Sequence, residues 1–94
     1  MSCNKEEQTP YTPLVFHSLT SSSNTLQTGT SVNLSADVSG TQVTYHWSYN
    51  SGTLAGSGSS VSYSNDLAGY HTIICTVVDQ EGDIEAREII LQVY

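Results

Sequence analysis

Apolar and polar side chains alternate with a period of two along most of this chain. Val32, Leu34, Ala36 and Val38 interleave with Ser31, Asn33, Ser35 and Asp37, the pattern of a strand with one buried face. The next segment puts Val43, Tyr45, Trp47 and Tyr49 on one face and Thr44, His46 and Ser48 on the other, which aims an indole at the core from mid-strand. Val61 and Tyr63 continue the rhythm. Between Tyr70 and Val78, His71, Ile73, Cys75 and Val77 share a face, while Ile74 and Val78 make the opposite face partly apolar. The segment from Leu14 to Leu19 reads as a first strand, and the polar run Thr20 to Asn24 must be a loop or a strand switch before Leu26 resumes pairing. Near the end, Ile84 and Ala86 hold one parity and Ile89, Leu91 and Val93 the other. A bulge near Arg87 or Glu88 would bring both sets to one core.

Turn chemistry separates these runs. Thr28-Gly29-Thr30, Ser39-Gly40-Thr41, Asn65 to Gly69 and Gln80-Glu81-Gly82 are reversals, and the Gly- and Ser-rich stretch Asn50 to Ser60, with Leu54 and Ala55 as its apolar pair, predicts a short edge strand between turns. About seven strands at roughly 10-residue intervals, without helical periodicity, predict an all-β, two-sheet antiparallel β-sandwich. A chain of 94 residues suffices for one such core. Residues 1–12 lack periodicity, with Pro10 and Pro13 bracketing the first apolar run, so the expected organisation is an N-terminal tether over 1–12 and one domain over 13–94.

Charge narrows the function. Nine acidic residues against two basic ones, Lys5 and Arg87, give a net charge of −7, a field that repels phosphate backbones and anionic headgroups. Nucleic acid is thereby excluded as an expected partner. Ser, Thr, Gly and Asn dominate elsewhere, as in short strands joined by turns on an exported surface. No run approaches the roughly 20 apolar residues that span a bilayer, and no secretory signal opens the chain, so any export signal is expected to have been removed. A monomer is expected.

Candidate chemistry is sparse. His17, His46 and His71 are isolated from one another, and the serines fall in turns where their hydroxyls bond local backbone, so no catalytic or cofactor site is expected. Asp79, Glu81, Asp83 and Glu85 alternate around the last hairpin, either gathering oxygen ligands for Ca²⁺ or forming a solvated acidic turn. Tyr45, Trp47, Tyr49 and Tyr63 offer a stacking platform for sugars or, from their parity with Val43, core filling; Tyr11, Tyr70 and Tyr94 are freer to be exposed. Cys75 sits in an apolar run as core filling, and Cys3 in a polar segment, so no disulfide between them is expected.

Two resemblances add to these readings. Gly69, Ile73, Cys75, Val77, Asp79 and Gly82, together with Trp47-Ser48-Tyr49-Asn50-Ser51-Gly52, resemble the two signatures of the polycystic-kidney-disease-type (PKD) domain, an immunoglobulin-like sandwich. His71 stands where that family prefers Tyr, the acidic turn of Trp-x-Phe-Gly-Asp-Gly is replaced by Asn50-Ser51-Gly52, and Leu34 stands where an immunoglobulin core would place a Cys to pair with Cys75. The resemblance covers about Pro13 to Tyr94 and implies a spacer, adhesion unit or accessory module without catalytic residues. Met1-Ser2-Cys3-Asn4-Lys5-Glu6-Glu7 resembles the processed junction of a bacterial surface lipoprotein, with Cys3 as the lipid attachment site and Met1 as an added start residue. Together they imply a non-catalytic outer-membrane lipoprotein module at the cell surface. It would meet an extracellular protein or glycan and touch the membrane only through Cys3. The alternative is a structural domain from a larger surface enzyme or adhesin, with an association to carbohydrate.

Overall fold

The computed structural model describes residues 12–50 and 52–94. Eight strands follow in order: β1 (Val15–Ser21), β2 (Thr25–Leu26), β3 (Ser31–Ser39), β4 (Thr44–Tyr49), β5 (Thr53–Ala55), β6 (Ser60–Ser64), β7 (Gly69–Val78) and β8 (Ile84–Val93). They form two four-stranded sheets, ordered β1-β3-β6-β5 and β2-β8-β7-β4. All neighbours are antiparallel except β2, which lies parallel to β8. This is the expected immunoglobulin-like sandwich, with one strand more than the sequence count.

The additional strand comes from the polar run after β1. Ser22 N donates to Asn33 O on the first sheet, whereas Asn24 O and Leu26 O accept from Gln92 N and Tyr94 N on the second. The chain therefore changes sheets between Ser21 and Thr25. The short polar residues there supply local side-chain bonds in place of a ladder: Ser23 Oγ donates to Thr25 O at 2.7 Å.

The period-two reading holds through β3, β6 and β7. Leu34, Tyr63, Ile73, Cys75 and Val77 are completely enclosed, and each such aliphatic or aromatic side chain contributes about 1.5–3 kcal/mol of burial. The core has two lobes, one around Leu34, Tyr63, Ile73 and Leu91, the other around Phe16, Ala36, Cys75 and Val77, and Trp47 packs against both. Trp47 is half-buried rather than enclosed, because its indole Nε1 reaches the β5–β6 loop and donates to Gly58 O at 2.9 Å. An aromatic N–H that is withdrawn from water needs such an acceptor.

The expected bulge in β8 is absent. Partners run without a break from Gly69↔Val93 to Val78↔Ile84, so Leu91 and Val93 face the core while Ile84, at 64% exposure, and Ala86 face outward. The irregularity lies instead on β1, where the register shifts between Phe16 and Ser18. Arg87, which shares the parity of Leu91, donates from Nε to Phe16 O at 2.9 Å, and its guanidinium lies 5.8 Å from the Phe16 ring centroid. The apolar count in β8 misleads because its first half lies at the margin of the sandwich, where an Arg bonding an edge carbonyl substitutes for a core aliphatic.

Leu91→Ala should lose about 2–5 kcal/mol of stability, whereas Ile84→Ala, on the solvent face of an intact strand, should stay within about 0.5 kcal/mol of the parent. Denaturant melts of both variants measure the difference, and equal losses would contradict the unbroken register.

Candidate functional site

Of the residues that carry the sequence signatures, Trp47, Ile73, Cys75 and Val77 belong to the core and the rest fall at two opposite poles of the sandwich. At the first, Asp79 follows β7 and organises the β7–β8 hairpin. Its Oδ1 accepts from Glu81 N at 3.0 Å and from Asp83 N at 2.9 Å, while its backbone carbonyl accepts from Gly82 N at 3.1 Å. Gln80 N donates to Thr41 O at 3.0 Å, which ties this hairpin to the β3–β4 turn. The buried Asp79 carboxylate thus serves the backbone of its own turn, and its Oδ2 has no hydrogen-bond partner among the described residues. The possible calcium ligands are not gathered: Glu81, Asp83 and Glu85 are exposed, and no group of three His, Cys, Asp or Glu among the described residues is placed to hold a metal.

At the other pole a chain of buried and part-buried polar bonds fastens β6 to β7. Asn65 Nδ2 donates to the Tyr63 hydroxyl at 2.8 Å, and Asn65 Oδ1 accepts from Leu67 N at 2.7 Å. His71 Nε2 then donates to Leu67 O at 2.8 Å. A carbonyl acceptor requires the proton on Nε2, and the buried Nδ1 has no hydrogen-bond partner among the described residues. Asn50, just after β4, accepts from Thr72 N at 3.2 Å, and the Tyr49 ring meets the Tyr63 ring edge-on at a centroid distance of 6.2 Å.

Gly52 closes over this network with φ +102°. A Cβ there would lie 2.5 Å from Ser64 O, 2.8 Å from the Tyr63 hydroxyl and 3.0 Å from Asn65 Nδ2. The surviving glycine of the Trp-to-Gly signature is therefore a close backbone approach onto the Tyr63–Asn65 pair. Sequence reading missed the part played by Asn65, and its one local signal was an Asn opening the turn Asn65 to Gly69.

The remaining candidates stay apart. His17 Nε2 lies 2.7 Å from Ser39 Oγ on the neighbouring strand, and His46 stands exposed on the outer face of β4. Cys75 is enclosed, and burial pushes its thiol up to about 11 from the ordinary 9.0, which leaves it neutral and unreactive near pH 7. The unfolded thiol ionises first on raising the pH, so this group's contribution to stability is full below about 9 and declines between there and 11. Tyr70 and Tyr94 are exposed, Tyr63 is enclosed, and Tyr45 and Trp47 are half-buried, so the aromatic row is divided between core and surface rather than forming a platform. A shallow groove on the outer face of the first sheet is lined by Asn33, Ser35, Ala55, Ser60, Val61 and Ser62, none of them titratable. Cys3 and Tyr11 lie outside the described residues.

With this geometry in view, the model of the PKD domain matches residues 17–88, which spans both poles and six complete strands. The chain belongs to the PKD-domain family. PKD domains form a family of non-catalytic modules that typically occur in extracellular or surface proteins. No curated protein matches this PKD chain. Among solved structures it is similar to a nucleoside hydrolase-related hypothetical protein from Saccharophagus degradans that is associated with carbohydrate metabolism. The TM-score is 0.66 at 22% identity over 74% of this chain. The match occupies 21% of that protein's length, and the likeness is one of fold.

Gly52→Ala should lose about 2–4 kcal/mol, because a side chain there meets both the left-handed backbone and the carbonyl of Ser64. Gly82→Ala, at φ +88° with nothing within 4 Å of its Cβ, should lose only about 1–2 kcal/mol. Chemical denaturation of the pair checks the ordering, and equal losses would remove the close approach as the reason for glycine at 52.

Proposed function

We propose that this PKD domain is a non-catalytic binding or spacer module of a bacterial cell-surface lipoprotein. An acylated Cys3 holds it to the outer membrane, and the segment from Cys3 to Thr12 serves as the tether. The observation that carries this reading is the threading of the domain. β1 begins where Val15 pairs with Ser39, at the pole of the Asp79 hairpin. β8 ends at the opposite pole, where Val93 pairs with Gly69 and Thr28 N donates to Tyr94 O. Ten-residue strands at about 3.3 Å per residue separate the two ends by roughly 30 Å. A chain that enters at one pole and leaves at the other adds length between whatever it joins. The hydroxyl-lined groove and the exposed Tyr70 and Tyr94 leave room for an extracellular protein or glycan as ligand.

A second reading places the domain within a larger surface enzyme or adhesin associated with carbohydrate. It is favoured by the Saccharophagus degradans chain, in which a similar fold makes up 21% of the length.

Mass spectrometry of the native protein extracted from membranes separates the two. The lipoprotein reading expects an N-terminal Cys3 whose sulfur carries diacylglycerol, an anchor worth about 0.8 kcal/mol per buried methylene. An unmodified Cys3 inside a longer polypeptide would overturn it and support the multidomain reading.

A further inference from the structure

The two outer faces of the sandwich differ in kind. On the first sheet the cross-strand partners are Ser31 and Ser64, Asn33 and Ser62, and Ser35 and Ser60, the polar face expected of a sheet with one side in water. On the second sheet the corresponding rows are Val78 beside Ile84, Thr76 beside Ala86, Ile74 beside Glu88, Thr72 beside Ile90 and Tyr70 beside Gln92. Ile84, Ile90 and Tyr70 are 64%, 54% and 72% exposed, and Ile74 and Val78 are half-buried. Ile74 lies diagonal to both Ala86 and Ile90, within reach of each, so the apolar side chains form one strip along β7 and β8. The core does not use this strip, since inward positions of the same strands already fill it. An apolar strip on the outside of a stable sandwich marks an interaction surface.

Charge selects the occupant. Glu88 stands within the strip, and Glu81 and Asp83 are exposed in the hairpin that joins Val78 to Ile84 at its end, whereas Glu85 has the parity of Val77 and Leu91 and lies on the other face. Arg87, the one cation among the described residues, is committed to Phe16 O and the Phe16 ring. A second copy would bring a net charge of −7 against −7 across this face with no available described cation to meet Glu88. We propose that the outer face of β7 and β8 docks a protein partner whose contact surface is aliphatic or aromatic at its centre and carries Lys or Arg at its rim. The apolar centre supplies affinity, and the opposed charges set orientation and exclude self-association. This surface belongs to the folded sandwich and does not depend on lipid at Cys3.

The test titrates the isotope-labelled full chain, in about 150 mM salt, with a helical peptide carrying Leu along one face and Lys at its flanks. A second peptide has Glu in place of every Lys. The Lys peptide should shift the amides of Ile74, Val78, Ile84, Glu88 and Ile90, and the Glu peptide should bind at least about tenfold more weakly. An Ile84→Thr/Ile90→Thr double variant and a Glu88→Lys variant, both altered only at exposed positions and checked for native melting, should each lose about tenfold in affinity. Shifts located elsewhere, or equal binding of the two peptides, would overturn the proposal. So would a dimer in sedimentation that the double variant abolishes, since that outcome assigns the face to a second copy.

Discussion

The unbroken antiparallel ladder between β7 and β8 sets the parity of half the core. Ten successive pairs leave no freedom to exchange faces, so Ile73, Cys75 and Val77 on one strand and Leu91 and Val93 on the other are committed inward together. β4 pairs with β7 in register, Trp47 opposite Cys75, which places the indole over both lobes of the core. β2 then adds to β8 because the change of sheet after Ser21 delivers Leu26 beside Val93. The same parity sends Ile84, Ala86 and Ile90 outward, and the apolar outer face follows from the ladder rather than from any loosening of the fold.

Much of this architecture was legible in the residues. Strict alternation in β3 and β7 and the Gly- and Ser-rich flanks of β5 marked buried faces and an edge strand correctly, because those segments depend on local pattern. β8 was misread, because five apolar residues of mixed parity invite a bulge only if all of them must be buried, and sequence alone does not show where the sandwich margin falls. The irregularity on β1 lies beside the contact between residues 16 and 87, a separation that no local pattern encodes.

The signature residues proved to be architectural. Asp79 and Gly82 form a turn that pattern reading located, but the carboxylate is spent on backbone N–H groups, so the alternating acids do not converge on a cation. The substitution of Asn50-Ser51-Gly52 for the acidic turn of the family keeps what the fold uses: a side-chain oxygen that accepts from Thr72 N and a glycine that admits Tyr63 and Asn65. The link from Tyr63 through Asn65 and Leu67 to His71 was not legible, since it needs two strands and their connecting turn already in place. His71, standing where the family prefers Tyr, satisfies one nitrogen at the Leu67 carbonyl.

Cross-strand proton contacts in an NMR spectrum test the ladder directly. Continuous pairing predicts backbone contacts linking Ile74 with Glu88, Thr76 with Ala86 and Val78 with Ile84, on the same count that links His71 with Leu91. Contacts displaced by one residue on the Ile84 side of Glu88 would establish a bulge, turn Ile84 and Ala86 inward, and contradict the account.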